Sequence, residues 1–234
     1  MIAHGRCGSA RRGQTLFPLH LGTKGSPLRV LCLGAHSDDI EIGCAGTLLR
    51  LLEDGHKLEV TWAVVGAAGE RAAEATASAR ALLRSASALE LVLGDLPDAR
   101  FPAEYGKAKD FFQAIRGRTN PDLVFSHRLE DRHQDHRLVA ELTWQTWRDH
   151  VVLEYEIPKF EGDLGQPNFF VPLSRSLAMQ KTRHLDDHFA SQRSKEWFTE
   201  DTFLGLMRLR GVECRAQSGF AEAFTARKVV LANR

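Results

Sequence analysis

The chain has 234 residues, of which 43% are hydrophobic and 26% are charged, and its formal net charge is +1. This composition is ordinary for a globular protein that buries a full core. The balanced charge argues against nucleic acid or an anionic membrane as the partner, and no apolar run approaches the roughly 20 residues that cross a bilayer. Four cysteines without a C-x-x-C pair favour reduced thiols and a cytoplasmic location over a disulfide framework.

The first 27 residues differ in pattern from the rest of the chain. They contain arginines but no continuous apolar core, so a flexible or loosely docked tail is expected rather than a secretory signal. We expect residues 28–234 to form a single domain.

From residue 28 onward, apolar runs alternate with helix-forming segments. The spacing predicts strands over 28–35, 57–66, 89–94, 121–127 and 151–157, and helices over 41–54, 69–88, 104–117 and 134–148. Residues 154–173 combine proline, glycine and charge, which predicts an irregular loop that acts as a substrate flap. A helical segment over 174–215 and a last strand from residue 219 complete the domain. The alternation predicts an α/β fold with a mostly parallel sheet and helices on both faces.

A first group of ionisable residues follows the first strand, in the segment LCLGAHSDDIEIGCAGTLL (residues 31–49). His36, Asp38 and Asp39 stand at the carboxyl end of this strand, which is where α/β sheets bind ligands. The alternative is a strand end capped by local hydrogen bonds.

A second group follows a later strand, in SHRLEDRHQDHRLV (residues 126–139). His133 and His136 are three positions apart and can share one face of a turn or helix. If the two strand ends meet above the same sheet edge, imidazole and carboxylate groups converge without sulfur. That pattern suits Zn²⁺, and also Fe²⁺ or another divalent metal. The alternative is a solvated helix start with acid near its positive end.

With His36, Asp39 and His136 as ligands, a tetrahedral ion would keep one position for water, as catalytic zinc sites do. Asp38 could then accept the proton of that water. His133 could donate to a developing oxyanion or protonate a leaving amine, and Asp135 could hold His133 in its protonated form. The expected chemistry is metal-assisted hydrolysis.

These two segments resemble the paired signatures of the PIG-L/LmbE-type zinc-dependent de-N-acetylases. Further similarity lies in GERAAEATASARALL, LPDARFP, RTNPDLVFSH, SQRSKEWF and SGFAEAF, so that it extends from about residue 28 to the end of the chain. The resemblance implies a Rossmann-like layered sandwich and removal of an N-acetyl or related N-acyl group from an amino sugar or glycoconjugate. It implies the same roles for the six residues: metal ligands His36, Asp39 and His136, general base Asp38, and transition-state residues His133 and Asp135.

The chain departs from the family pattern at three positions near the first motif: Ser37 replaces a proline, Ile40 an acid, and Cys44 a glycine. None of these removes a ligand or the base, but they leave the substrate class open. Candidate substrate-binding residues are Arg71, Arg132, Glu154, Lys159, Asn168 and His188. Asp131 is expected to be a supporting group or part of a surface ion pair, and His127 a loop residue near the site.

Two alternatives to deacetylation remain at this stage. A metal-dependent hydratase or lyase could use the same fold, and a non-catalytic carbohydrate-binding relative would retain only the pocket. The expected partner is a small N-acetylated sugar or glycoconjugate. The sequence leaves open whether the chain forms a homo-oligomer.

Overall fold

The computed structural model describes residues 26–230, so residues 1–25 of the predicted tail and the last four residues lie outside it. The strands are β1 (Leu28–Gly34), β2 (Leu58–Val64), β3 (Ala88–Leu93), β4 (Leu123–Ser126), β5 (Val151–Tyr155), β6 (Phe169–Leu173) and β7 (Phe220–Ala226). The α-helices are α1 (Asp39–Glu53), α2 (Glu70–Leu82), α3 (Tyr105–Arg116), α4 (Gln134–Thr146), α5 (Arg175–His188) and α6 (Glu200–Glu213). None of these helices is both long enough and apolar enough to span a membrane.

The strands form one seven-stranded sheet in the order β3-β2-β1-β4-β5-β7-β6. Strands β1 to β5 pair in parallel, whereas β7 is antiparallel to both of its neighbours, β5 and β6. The predicted α/β fold with a mostly parallel sheet is therefore confirmed. The chain runs outward from β1 to β2 and β3, then returns to place β4 on the other side of β1, which makes the β1–β4 boundary a switch point of the topology.

Apolar side chains fill both faces of the sheet, as the unbroken apolar runs of its central strands predict. On one face, Val30 and Trp62 pack with residues of α1, α2, α5 and α6. On the other, Leu31 and Val124 pack with residues of α3 and α4. The result is a layered sandwich with its central strands buried on both sides.

Two glycines in the first half of helix α1, Gly43 and Gly46, lie where a larger side chain would overlap the sheet. A Cβ atom on Gly43 would overlap the ring of Tyr155. Near Gly46, the Glu222 carboxylate of β7 accepts the backbone N–H groups of Gly46 and Thr47 at 2.8 and 2.6 Å. This contact fixes the helix that begins at the first ionisable motif.

The predicted helical segment over 174–215 is confirmed and comprises α5 and α6 with a connection between them. The prediction for residues 154–173 is wrong in detail. The segment expected to be irregular over 154–173 begins inside β5 and ends as β6, so only residues 156–168 form a loop. Because β6 lies at the edge of the sheet, it tolerates Pro172, which cannot donate to a second neighbour.

Candidate functional site

The two ionisable motifs meet because their strands are neighbours. Val30 pairs with Leu123 and Cys32 with Phe125, so β1 and β4 end at the same edge of the sheet. The turn after β1 carries the first motif into α1, and the turn after β4 carries the second into α4. The candidate site thus lies beyond the carboxyl ends of adjacent strands at the switch point.

Three donor atoms converge at this edge, one each from His36, Asp39 and His136. His36 Nδ1 lies 3.2 Å from His136 Nε2 and 3.5 Å from Asp39 Oδ2. Asp39 Oδ1 lies 3.5 Å from His136 Nε2. A tetrahedral ion with bonds of about 2.0–2.1 Å requires donor atoms about 3.3–3.4 Å apart. The spacing and chemistry of these three residues therefore fit a zinc-like divalent cation.

The environment shifts the pKa of each member of this triad. Burial acts to raise the pKa of Asp39, but its electrostatic interactions with His136 and His127 outweigh burial and hold that pKa well below its usual range. Burial, together with the neighbouring His127, lowers the pKa of His136 to about 4. Burial also acts to lower the pKa of His36, but hydrogen bonds with Asp135, Asp39 and Asp98 raise it well above its usual value. An ionised Asp39 and a neutral His136 can bind a metal directly, whereas His36 must first release a proton.

A second carboxylate, that of Asp131, contacts the ring nitrogen of His136 that faces away from the other two donors. Asp131 Oδ2 lies 3.1 Å from His136 Nδ1, which leaves Nε2 facing the other two donors. The other oxygen of Asp131 accepts the backbone N–H of His133 at 2.8 Å. Such carboxylate–histidine pairs fix the orientation of metal-binding imidazoles. Asp131 is therefore a supporting group, one of the two roles expected from the sequence.

His127 has a closer relation to the triad than its sequence position suggested. Its ring is completely buried and stacks on that of His136, with centroids 4.0 Å apart. Its Nε2 lies 3.1 Å from Asp39 Oδ2 and accepts the N–H of Ala35 at 3.0 Å. Only the position of this residue at the end of β4, a strand adjacent to β1, could have indicated its contact with Asp39.

Asp38, the residue before Asp39, is buried and forms an ion pair with Arg71. Its Oδ1 accepts a hydrogen bond of 2.6 Å from Arg71. Burial raises the pKa of Asp38, and the Arg71 charge partly offsets that increase. Arg71 itself is held by Glu74 at 2.8 Å and by Ser191 at 3.0 Å. The sequence-predicted base and one predicted substrate-binding residue thus form a single ion pair at the site.

The structure does not reproduce the expected pairing of Asp135 with His133. The Asp135 carboxylate accepts the N–H groups of Ala99 at 2.7 Å and Phe101 at 3.1 Å, and lies 3.2 Å from His36 Nε2. His133 instead caps α4: its Nδ1 accepts the backbone N–H of Asp135 at 3.3 Å. A neutral His133 ring then carries its proton on Nε2, where it can be donated.

One residue at the site was missed by the sequence reasoning. Asp98 lies 3.0 Å from His36 Nε2, although 78% of its side chain is exposed. The hydrogen bond from His36 lowers the pKa of Asp98 to about 2. Ala99, the next residue, has a left-handed φ of 59° and is held there by its hydrogen bond to Asp135. The motif LPDARFP contains this aspartate, but its approach to His36 depends on that unusual backbone.

The other predicted substrate-binding residues are engaged in contacts of their own. Lys159 is buried between Asp131, at 3.0 Å, and Asp163, at 2.7 Å, so its ammonium supports the outer layer of the site. Arg132 is exposed on the turn before His133, where its backbone N–H donates to Asp163.

Three further candidates have contacts away from the triad. Glu154 is completely buried and accepts hydrogen bonds from Trp144 at 2.6 Å and Arg227 at 2.7 Å. Asn168 pairs with the backbone of Ala226 at the end of β7. His188 stacks on His184 along α5, with centroids 4.1 Å apart. These contacts give each side chain a structural role in the described part of the chain.

Comparison with known proteins agrees with this arrangement. The family model described as PIG-L, GlcNAc-PI de-N-acetylase, matches residues 31–147, which is half of the chain and includes both motifs. The chain belongs to the PIG-L family. The family membership predicted from the two motifs is confirmed.

Solved structures similar to this PIG-L family protein include deacetylases and one hydratase. The N,N'-diacetylchitobiose deacetylase from Pyrococcus horikoshii has a TM-score of 0.65 and 20% identity, covering 85% of this chain and 83% of that chain. The 4-carboxy-2-hydroxymuconate hydratase GalB from Pseudomonas putida has a TM-score of 0.67 and 18% identity, covering 88% and 99%. A zinc-inhibited form of the teicoplanin deacetylase Orf2 has a TM-score of 0.64 and 16% identity, covering 85% and 97%. At these identities the similarity shows a common fold.

Proposed function

We propose that this PIG-L family protein is a metal-dependent hydrolase that removes an N-acetyl or related N-acyl group from an amino sugar or glycoconjugate. The observation that carries the proposal is the convergence of His36, Asp39 and His136 donor atoms at 3.2–3.5 Å, with the buried carboxylate of Asp38 directly beside them. Membership of a de-N-acetylase family supports the same activity class.

His36, Asp39 and His136 would hold the cation. Two imidazoles and one carboxylate suit Zn²⁺, and also Fe²⁺. When bound, such an ion supplies Lewis acidity and lowers the pKa of water from about 15.7 toward about 7. Asp131 and Asp135 keep the two histidines oriented through the ring nitrogens that face away from the other donors.

Asp38 serves as the general base in this proposal. Its burial raises its pKa, which makes it a better proton acceptor than an exposed aspartate. Arg71 fixes one carboxylate oxygen at 2.6 Å, so the other is available to take the proton of the attacking water. The same carboxyl group can then deliver that proton to the nitrogen of the departing amine.

His133 serves as the donor to the oxyanion that develops on the acyl carbon. The backbone N–H of Asp135 occupies its Nδ1, which leaves the Nε2 proton for donation. Because His133 is the first residue before α4, its orientation is set by the cap of that helix. A positioned donor of this kind stabilises charge that forms only in the transition state.

Polar side chains at the open side of the site would bind the sugar. Asp98 is 78% exposed and can accept hydrogen bonds from hydroxyl groups. Arg71 and Arg132 are the candidate donors. Hydroxyl-rich substrates match such a rim of carboxylate and guanidinium groups better than apolar ones would.

The test is a screen of N-acetylated sugars, nucleotide sugars and glycolipid headgroups with protein of measured metal content. Deacetylation releases acetate and a primary amine in equal amounts, and both should be quantified. A hydratase, the reaction that GalB's name gives for a similar fold, would consume substrate without releasing acetate. A protein that binds these sugars with metal present but converts none would be a non-catalytic carbohydrate-binding relative.

A further inference from the structure

The imidazole of His36 separates two groups of ligating atoms. Its Nδ1 faces the Asp39 and His136 donors described above. Its Nε2, on the opposite edge of the ring, lies 3.0 Å from Asp98 Oδ1 and 3.2 Å from Asp135 Oδ2. The His133 ring stands edge-on to His36, with centroids 5.0 Å apart. A second cluster of imidazole and carboxylate groups therefore adjoins the proposed catalytic centre.

This second cluster has the composition of a cation site. One ligand atom from each of His36, Asp98, His133 and Asp135 lies within 4.8 Å of all the others. We propose that Asp98, His133 and Asp135 form a second, weaker binding site for a zinc-like divalent cation, on the open side of His36. Nitrogen and carboxylate donors together favour Zn²⁺ over Mg²⁺, which prefers oxygen ligands and retains its waters.

His36 is not a ligand of this second site, because its Nδ1 atom belongs to the first site. A cation bound at His36 Nδ1 leaves the proton on Nε2, which then donates to Asp98 or Asp135. The second cation would therefore be held by two carboxylates and the Nε2 atom of His133. Asp135 already accepts two backbone N–H groups, and Asp98 is 78% exposed. Both features make this site the weaker of the two.

Occupation of the second site has a consequence for turnover that rests on the proposed function. A cation bound to His133 Nε2 displaces the proton that would be donated to the oxyanion. It also engages Asp98, which faces the substrate side. Zn²⁺ in excess of the first equivalent should therefore inhibit deacetylation, whereas the existence of the second site does not depend on any activity.

Metal binding can be measured directly, without a substrate. The metal-free protein would be titrated with Zn²⁺, and bound and free metal determined by equilibrium dialysis, with Mg²⁺ as the comparison ion. The wild-type protein should bind two equivalents of Zn²⁺, the second about 100-fold or more weakly than the first, because it has fewer available and less fixed ligands. Mg²⁺ should not compete for the second equivalent.

The decisive variant is Asp98→Asn, with Asp95→Asn as a matched control at an exposed position three residues earlier. Asp98→Asn should lower the affinity for the second equivalent of Zn²⁺ about tenfold or more, because the site loses one anionic ligand. The affinity for the first equivalent should change less than about threefold. Asp95→Asn should bind both equivalents as the wild type does. Saturation of the wild type at one equivalent, or unchanged binding of the second in Asp98→Asn, would overturn the proposal.

Measurements of deacetylation at increasing Zn²⁺ concentration test this inference separately from the proposed function. If deacetylation is found, added Zn²⁺ should inhibit the wild type at the concentration that fills the second site, and inhibition of Asp98→Asn should need about tenfold more. If no deacetylation is found, a second equivalent that depends on Asp98 still supports the site. Inhibition of both proteins at the same Zn²⁺ concentration would contradict its placement at Asp98.

Discussion

His36 Nδ1 lies 3.2 Å from His136 Nε2, although 100 positions separate the two residues in the chain. Two imidazole lone pairs at this distance repel each other unless a proton or a metal ion lies between them. Replacing His136 with Gln, which is similar in size, should therefore lower the affinity for Zn²⁺ about 100-fold or more, since a ligand matters more than its supporting group. Competition with a chromophoric chelator measures this change.

The matched control for that variant is His56→Gln, which changes a histidine beyond the far end of α1. It should leave the affinity for Zn²⁺ unchanged within about twofold, because no proposed ligand contacts it. A His136→Gln protein that folds and still binds one tight equivalent would remove His136 from the ligand set.

Asp38→Asn separates the base from the ligands. The amide can still accept the hydrogen bond from Arg71, so the fold and the metal content should be preserved. It cannot take up a proton, and turnover should fall about 10²-fold or more. Steady-state kinetics beside metal analysis measures both quantities. The control is Asp54→Asn at the other end of α1, and retention of wild-type turnover by Asp38→Asn would exclude this residue as the base.

The alternation of strands and helices could be predicted from the sequence because buried parallel strands and amphipathic helices have different periods. The meeting of the two motifs could be expected too, since both follow buried strands. The antiparallel strand β6 could not, because Pro172 and the charged residues before it resemble a loop. Its partner β7 is almost fifty residues away, and pairing between strands so far apart in the chain leaves little local signal.

The outer contacts of the site were the least predictable. Asp98 reaches His36 through the left-handed backbone of Ala99, a conformation that alanine rarely adopts. Lys159 has the charge of a substrate-binding residue, but the two aspartates beside it are brought there by tertiary contacts. Glu154 similarly points into the interior because Arg227, far along the chain, neutralises it. Such pairings depend on packing rather than on any spacing in the sequence.

The buried ion pair of Glu222 and Lys181 predicts a large effect on stability. Glu222 accepts the N–H of Gly46 at 2.8 Å, and Lys181 donates to the carbonyl of Ile42 at 2.6 Å, the two groups that an α-helix would join to each other. Replacing Glu222 with Ala leaves the buried Lys181 ammonium without its carboxylate partner and the N–H of Gly46 without its acceptor. The free energy of unfolding should fall by about 3–5 kcal/mol.

Urea denaturation monitored by circular dichroism measures this loss. Glu222→Gln retains an acceptor and should cost less than the alanine variant, and it remains informative if the latter does not fold. Glu141→Ala, on the exposed face of α4, should change stability by no more than about 0.5 kcal/mol. Equal stability of Glu222→Ala and Glu141→Ala would contradict a supporting role for the ion pair.

The pH dependence of stability should carry a contribution from His184. Burial, followed by the charge of the stacked His188, lowers the pKa of His184 to about 4, below the ordinary value of 6.5. The unfolded chain therefore binds more protons than the folded one between these values, and stability is lost as the pH falls through this window. By pH 5 the loss should be about 2 kcal/mol. His184→Gln cannot titrate but can still hydrogen-bond to Ser78. Between pH 7 and pH 5, urea denaturation should therefore show a loss of unfolding free energy about 2 kcal/mol smaller for this variant than for the wild type. His56→Gln serves as the control, and parallel decreases in His184→Gln and the wild type would show that His184 is protonated equally in both states.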